Sequence, residues 1–357
     1  MRLWFGRLDR YVMTAILGLS AVVGLGLVSL YSFISFITEI DQSNDRLGVA
    51  QIFVVTLLTM PAGLYLLMPL VAMLGTLLGV GQLATQSEIT AMRAAGYSNL
   101  RLGRAALIAG LFLGLLAMAL GESVAPLGQQ AAERMKSGVR ADNLDDTGVG
   151  PVWLRDGADF YYIRRLQADD RFADAEIYRF DDELNLNSIL SVDGASYDAG
   201  NWQFEGVVET RFEASAVHVE RRATQIWPSG IEPEVLELYV LEADTLSAAG
   251  LMRLIGYLDS NGLDTREQQL ELWRKFVAPL TVMAMVLFAV PFVFGPTRGG
   301  GAGQRLLIGV LVGIGFHLLN EISANFGALY GWPAPVAAGL PTALLMAVGT
   351  ARLGFAR

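Results

Sequence analysis

Three observations predict an α-helical membrane protein with six transmembrane helices and an inserted antiparallel β jelly-roll domain. Apolar residues make up 53% of the 357-residue chain and charged residues only 17%, against about 25% charged in an ordinary soluble domain. The apolar residues gather near both ends in runs of about 20 or more, the length that crosses a bilayer core. The middle of the chain reads instead as short stretches alternating apolar with polar, punctuated by turn residues.

Candidate spans are 11–37, 52–81, 102–126, 273–295, 304–326 and 334–353. The first follows Arg2, Arg7, Asp9 and Arg10. It exceeds the apolar region of about 7–15 residues in a cleaved signal, so it reads as a retained span. Leu3, Trp4, Phe5 and Leu8 suit a short interfacial helix with its arginines toward lipid phosphates. Pro61 and Pro69 predict a kink or an early break in span two.

Arginine sets the expected orientation. Arg2, Arg7 and Arg10, then Arg93, Arg101 and Arg104, then Arg298 and Arg305, then Arg352 and Arg357 all fall on one side of six spans. The positive-inside rule places that side, with both termini, in the cytoplasm and the long insert outside.

The expected domains are an N-terminal transmembrane half (1–126), a β domain (127–245), a helical connector (246–272) and a C-terminal transmembrane half (273–357). Strands are expected at 152–154, 160–163, 176–180, 189–192, 202–204, 207–212, 216–220 and 235–241. Turns are expected at Asp156-Gly157, Asp193-Gly194, Ala199-Gly200-Asn201 and Pro228-Ser229-Gly230. This spacing suits an antiparallel sandwich or jelly roll. From Leu246 the period turns helical: Leu251, Leu254, Ile255 and Leu258 share a face, and Ser260-Asn261-Gly262 stops the helix. A second polar helix from Thr265 leads into span four.

Composition excludes several classes of function. The net charge of −9 argues against nucleic acid. With no cysteine, disulfides, cysteine nucleophiles and thiolate metal sites are ruled out. The two lysines, Lys136 and Lys275, stand in no phosphate-loop context, so the chain is not itself a P-loop ATPase.

Candidate polar sites each carry two readings. His317 and Glu321 share a helix face in span five, with Asn320 and Asn325 nearby. They are either a metal or proton site, as intramembrane ionisable groups often are, or a polar stripe at a cavity or helix contact, which the lack of a His-Glu-x-x-His pattern favours. Glu122, ending span three, reads as a helix-end hydrogen-bonding group before a catalytic one. Gly75-x-x-x-Gly79 and Gly309-x-x-x-Gly313 fit close-packing faces, but matches arise easily among 39 glycines.

The most informative segment is 82–98, after span two. Ser87 and Glu88 suit a helix N-terminus, where negative charge is favoured. Ile89, Met92 and Arg93 follow at helical spacing and Gly96 ends the turn. The segment is either a surface helix or a short helix that docks in a partner's groove.

Here the sequence resembles the lipopolysaccharide-export permeases of the LptF/LptG type, over essentially the whole chain. The resemblance rests on Leu8-Asp9-Arg10-Tyr11, Ser87-Glu88 through Ala95-Gly96-Tyr97, Gly121-Glu122-x-Val124-Ala125-Pro126, Leu272-Trp273-x-Lys275, Pro279-Leu280, Phe294-Gly295-Pro296-x-Arg298 and Gly303-x-Arg305, in that order. Val152-Trp153-Leu154-Arg155-Asp156-Gly157 and Phe160-x-Tyr162-Ile163 favour the LptG branch.

The resemblance implies a non-catalytic transport subunit of the bacterial inner membrane with a periplasmic β domain. It implies a homologous permease partner (LptF type), a cytoplasmic ATPase dimer (LptB type) that uses ATP and Mg, and a bitopic β-domain protein (LptC type). No cofactor is implied for this chain. Ser87, Glu88, Ile89, Met92, Arg93, Ala95 and Gly96 match the ATPase-coupling helix of about 84–97, with Glu88 toward a basic residue of the ATPase and Met92, Ala95 and Gly96 in apolar contact with it. Spans one and five line the family's substrate cavity, which carries onto Leu27, Leu30, Tyr31 and Ile34 and onto Phe316, Leu319 and Asn320. Some members hold basic residues at the outer end of span one. This chain has Ser35, Thr38, Glu39 and Asp41, with Arg46 the nearest positive charge, so Arg134, Lys136 and Arg140 are the alternative phosphate contacts. A lipid-modifying membrane enzyme and an envelope scaffold are the rival readings.

Overall fold

The protein is represented by a computed structural model that describes residues 6–42, 48–141, 151–167, 171–181, 183, 185–198, 200–213, 215–228, 231–292 and 302–355. Among the described residues, six helices are long and apolar enough to cross a membrane. The chain divides into two compact units, 1–132 with 266–357, and 133–265.

The first unit is the helical one. Its helices are α1 (Arg7–Gln42), α2 (Val49–Thr85), the short α3 (Glu88–Ala94), α4 (Asn99–Ala119), the start of α5 (Ala125–Ala141), then α8 (Arg266–Phe292), α9 (Ala302–Tyr330) and α10 (Ala334–Phe355). α2 runs unbroken through Pro61 and Pro69, so the expected break is absent. The helix of span three continues past residue 126. A π turn, Leu120–Val124, joins α4 directly to α5. Pro126 has no N–H for a carbonyl one turn back, and a local widening of the helix just before it lets the chain continue.

α2 and α8 carry the most enclosed faces, and small residues let the other helices approach them. A Cβ on Gly75 would lie 2.5 Å from the Ser20 Cα, and one on Gly79 would lie 2.9 Å from the Ala15 carbonyl oxygen, so α1 and α2 nearly touch backbones here. Gly309 and Gly313 of α9 sit against Leu70, Leu74 and Leu77 of α2. Gly114 of α4 meets Pro279 of α8, and Gly349 of α10 meets Phe288. Both Gly-x-x-x-Gly matches are thus packing faces, where close approach replaces the hydrophobic drive that lipid removes. Hydroxyls add polar ties: Thr281 and Thr342 lie 2.8 Å apart, and Ser323 donates to the Ala337 carbonyl at 2.7 Å.

Among the described residues of the second unit, six antiparallel strands form one sheet in chain order: β1 (Val152–Asp156), β2 (Asp159–Gln167), β3 (Arg171–Phe180), β4 (Leu186–Asp198), β5 (Asn201–Glu213) and β6 (Ala216–Trp227). The antiparallel β domain is as expected. The described strands run up and down without the crossovers of a two-sheet jelly roll. Three local expectations change. Asp193-Gly194 is no turn: β4 runs through it, because Gly206 takes φ +65° opposite and leaves room for the Asp193 side chain. The expected strands 202–204 and 207–212 are one strand, β5, passing through that same glycine. The expected strand 235–241 is helix α6 (Pro233–Val240). Its short apolar run fits either period. Pro233 in the first turn, followed by Glu234, sets the helix.

One face of the sheet buries Leu154, Tyr161, Ile163, Ile177, Leu190 and Phe204. The Trp202 indole donates to the Ile231 carbonyl, and the Trp227 indole to the Tyr161 hydroxyl, each at 2.8 Å. α7 (Ala248–Ser260) starts at Ser247, whose hydroxyl accepts from Gly250 N, and stops at Asn261 and Gly262. The Tyr257 hydroxyl donates to the Arg155 carbonyl at 2.8 Å and accepts from Arg155 N at 3.1 Å, tying α7 to β1.

Burial pushes the Tyr257 phenol up to about 12, from about 10 in an unfolded chain. The folded state therefore favours the protonated ring. That stabilisation is complete below about pH 10 and is lost as pH rises through about 12. Tyr257→Phe should cost about 1–3 kcal/mol at neutral pH by unpairing two backbone groups. It should also flatten the stability loss across that alkaline window, read by chemical denaturation of the full chain in detergent.

Candidate functional site

The segment after α2 is built from helix ends. α2 stops at Thr85, and Ser87 takes φ +62° before α3 begins at Glu88. Ser87 does not cap α3 with its side chain, contrary to expectation. It is at once the exit of one helix and the entry to the next, and the left-handed backbone turns its side chain away. Its carbonyl still accepts Ala91 N at 3.0 Å. α3 ends in a Schellman turn: Gly96, at φ +86°, donates to the Arg93 carbonyl and Tyr97 N to that of Met92. Ser98 then caps α4 by accepting from Arg101 N.

Ile89 and Met92 point inward and join the helical core, at 6% and 7% exposure. The outward face consists of Ser87, Thr90, Ala91, Arg93, Ala94, Ala95 and Gly96. Glu88 is half-buried, beside the Tyr11 hydroxyl of α1. Of the residues matched to the coupling helix, Ser87, Arg93, Ala95 and Gly96 are exposed, whereas Ile89 and Met92 anchor the helix from behind.

The anchoring extends to polar groups that sequence reading placed only as charges beside spans. Asp9, 1% exposed, accepts the Tyr97 hydroxyl at 2.7 Å and Gly6 N at 3.0 Å. Arg104 reaches the same carboxylate at 3.4 Å and Arg101 at 3.6 Å. Burial, with the Asp9 carboxylate beside it, raises the Tyr97 phenol well above its ordinary range, so it stays a donor. On the other side of the segment, Arg305 of α9, 7% exposed, packs over Gly81 and donates to Thr85 Oγ1 at 3.0 Å. The available signals were an acid among arginines in Leu8-Asp9-Arg10 and an arginine four residues into α9; neither names its partner.

The expected cavity residues lie on two helices that both pack against α2. Leu27 and Phe316 lean on the helical core. Tyr31 covers Gly63 of α2. Leu30, Ile34 and Leu319 are exposed at 56%, 55% and 45%, and Asn320 is half-buried. In α5, Lys136 pairs with Glu133 at 3.3 Å and Arg134 is exposed. The side chain of Arg140, and Arg46, lie outside the described residues.

Glu122 sits inside the π turn and pairs with Lys275 of α8 at 3.3 Å; Lys275 also donates to the Gly121 carbonyl at 3.2 Å. Glu321 pairs with Arg274 of α8 at 3.1 Å, a helix contact. Among the described residues, no group of three or more His, Cys, Asp or Glu converges as a metal site.

These features define a class: a polytopic helical membrane protein, interrupted by a β domain, with a short helix anchored in the bundle and exposed on one face. The sequence pattern described as "Lipopolysaccharide export system permease LptF/LptG" matches residues 10–354, and the chain belongs to that family. It is similar to the lipopolysaccharide export system permease protein LptG of Escherichia coli strain K12, at 33% identity over 347 residues and 95% of each chain. It is likewise similar to LptG of Haemophilus influenzae, at 30% identity over 342 residues, covering 95% of this chain and 96% of that one.

Proposed function

We propose that the chain is the LptG-type transmembrane subunit of an ATP-driven lipopolysaccharide exporter in the bacterial inner membrane. Both termini lie in the cytoplasm and the β domain in the periplasm. The chain is non-catalytic: a partner ATPase dimer of LptB type uses ATP and Mg, and this chain binds no cofactor. It pairs with an LptF-type homologue, and an LptC-type protein receives lipopolysaccharide from the β domain toward the outer membrane.

The observation that carries this reading is α3 itself, an exposed helix whose back is built into the bundle through Ile89 and Met92. Such a helix passes a push from a docked partner into the membrane spans instead of absorbing it. The segment 84–97 moves when the ATPase dimer closes. The spans squeeze a cavity shared with the homologue, which α1 lines with Leu27, Leu30, Tyr31 and Ile34 and α9 with Phe316, Leu319 and Asn320. An apolar cavity suits acyl chains, since each CH₂ moved into water costs about 0.8 kcal/mol. Arg134, Lys136 and Arg140 are the candidate contacts for lipid phosphates.

Glu88→Lys reverses the charge at the start of α3, where the helix dipole favours an acid. In vesicles reconstituted with the partner subunits, hydrolysis should persist while lipid release falls at least about tenfold, the scale of one lost charge-assisted contact. Release equal to wild type would refute the coupling role.

A further inference from the structure

We infer that Asp9 and Arg305 are positioning residues that fasten the segment around α3 to α1 and α9, the two spans that the proposed function makes walls of the substrate cavity. The inference rests on that reading and says how a push on one short helix reaches both walls.

An acid in the first turn of a helix needs no special account, because the helix dipole favours it. Gly6 N gives such a group its usual local bond at the helix start. Asp9 does more. It is 1% exposed, and its other partners, Tyr97, Arg101 and Arg104, all lie in the chain that leaves α3. Tyr97 is itself bonded through its backbone N–H to the Met92 carbonyl. A continuous path of hydrogen bonds therefore runs from α3 through Tyr97 into the first turn of α1.

The second fastening enters from the opposite end of the segment. Arg305 is buried against Gly81, where a Cβ would collide with its guanidinium, and it donates to Thr85 Oγ1. Thr85 in turn donates to the Gly81 carbonyl at 2.8 Å, so the hydroxyl is fixed at the last turn of α2. Charged donors and acceptors at such sites hold about twice as strongly as neutral ones. Apolar contacts slide; these directed bonds do not, so α3 cannot shift without carrying α1 and α9 with it.

The test uses the complete complex in vesicles, with three readouts: co-purification of the ATPase, ATP hydrolysis, and lipid released per ATP. Asp9→Asn and Thr85→Val keep shape and remove the charge or the bond. The expected result is retained assembly and hydrolysis, with lipid per ATP down about tenfold for D9N and about threefold for T85V. Asp9→Glu should recover part of the D9N loss. A fall of assembly, hydrolysis and release in step would mean that the pair merely holds the fold, and would overturn the inference. So would an unchanged lipid-to-ATP ratio in a complex that Glu88→Lys does uncouple. A wild-type complex that releases no lipid on ATP would overturn the export reading, and the fastenings with it.

Discussion

Lys275→Met is expected to destabilise the helical unit by about 2–4 kcal/mol. Removing one member of a fully buried ion pair costs about 3–5 kcal/mol, and the partial exposure of Glu122, 27%, lowers that figure here. Lys275 is 8% exposed and holds three groups at once: the Glu122 carboxylate, the Gly121 carbonyl of the π turn, and the face of the Tyr65 ring at 5.5 Å. It thereby joins α8 to α2 and to the junction of α4 and α5. Methionine fills much the same volume but strips the ammonium from the carboxylate and from the π-turn carbonyl. The double variant Lys275→Met/Glu122→Gln should recover more than half of the loss, because the cost lies in the unmatched charge more than in the missing pair. Thermal unfolding in detergent, run as a double-mutant cycle, reads both numbers. A single-variant loss under about 0.5 kcal/mol would place the pair among the weak surface bridges.

The two family motifs that meet in this pair lie far apart in the chain, and nothing in either names the other. The same holds for Asp9 and Tyr97, 88 residues apart. Local signals were legible. Runs of about 20 apolar residues located every span, and the turn pair Asp156-Gly157 joined β1 to β2 with Gly157 at φ +62°. What failed locally failed where two patterns compete. Val235 to Val240 is a short, nearly continuous apolar run that fits strand or helix, and the proline before it decides for helix. In α3, the sequence set Ile89, Met92 and Arg93 together at helical spacing; the structure turns Ile89 and Met92 into the core and Arg93 outward, because a period says nothing of which way a face turns. The direction comes from the core behind them, Leu102 and Leu83 among its members. Gly75-x-x-x-Gly79 was weak for the opposite reason. The motif is common by chance, and only the approach of Ser20 and Ala15 gives it meaning.

That approach makes Gly75→Leu a substitution with a large expected steric effect. A Cβ alone would sit 2.5 Å from the Ser20 Cα and closer still to its hydroxyl. Overpacking a core costs about 1–3 kcal/mol when side chains can shift. Here the obstacle includes backbone, so α1 must move off α2, and a loss of at least about 3 kcal/mol is expected, with poor recovery of folded protein from detergent. Gly26→Leu on the same helix pair is the control: nothing lies within 4 Å of its Cβ position, and it should melt within about 0.5 kcal/mol of wild type. Ser20→Gly placed beside Gly75→Ala separates the two sources of the clash. It removes the hydroxyl and the Cβ of Ser20 but leaves the Cα where it is. The rescue should therefore be partial, and full rescue would mean that the two backbones have more room between them than the 2.5 Å approach allows.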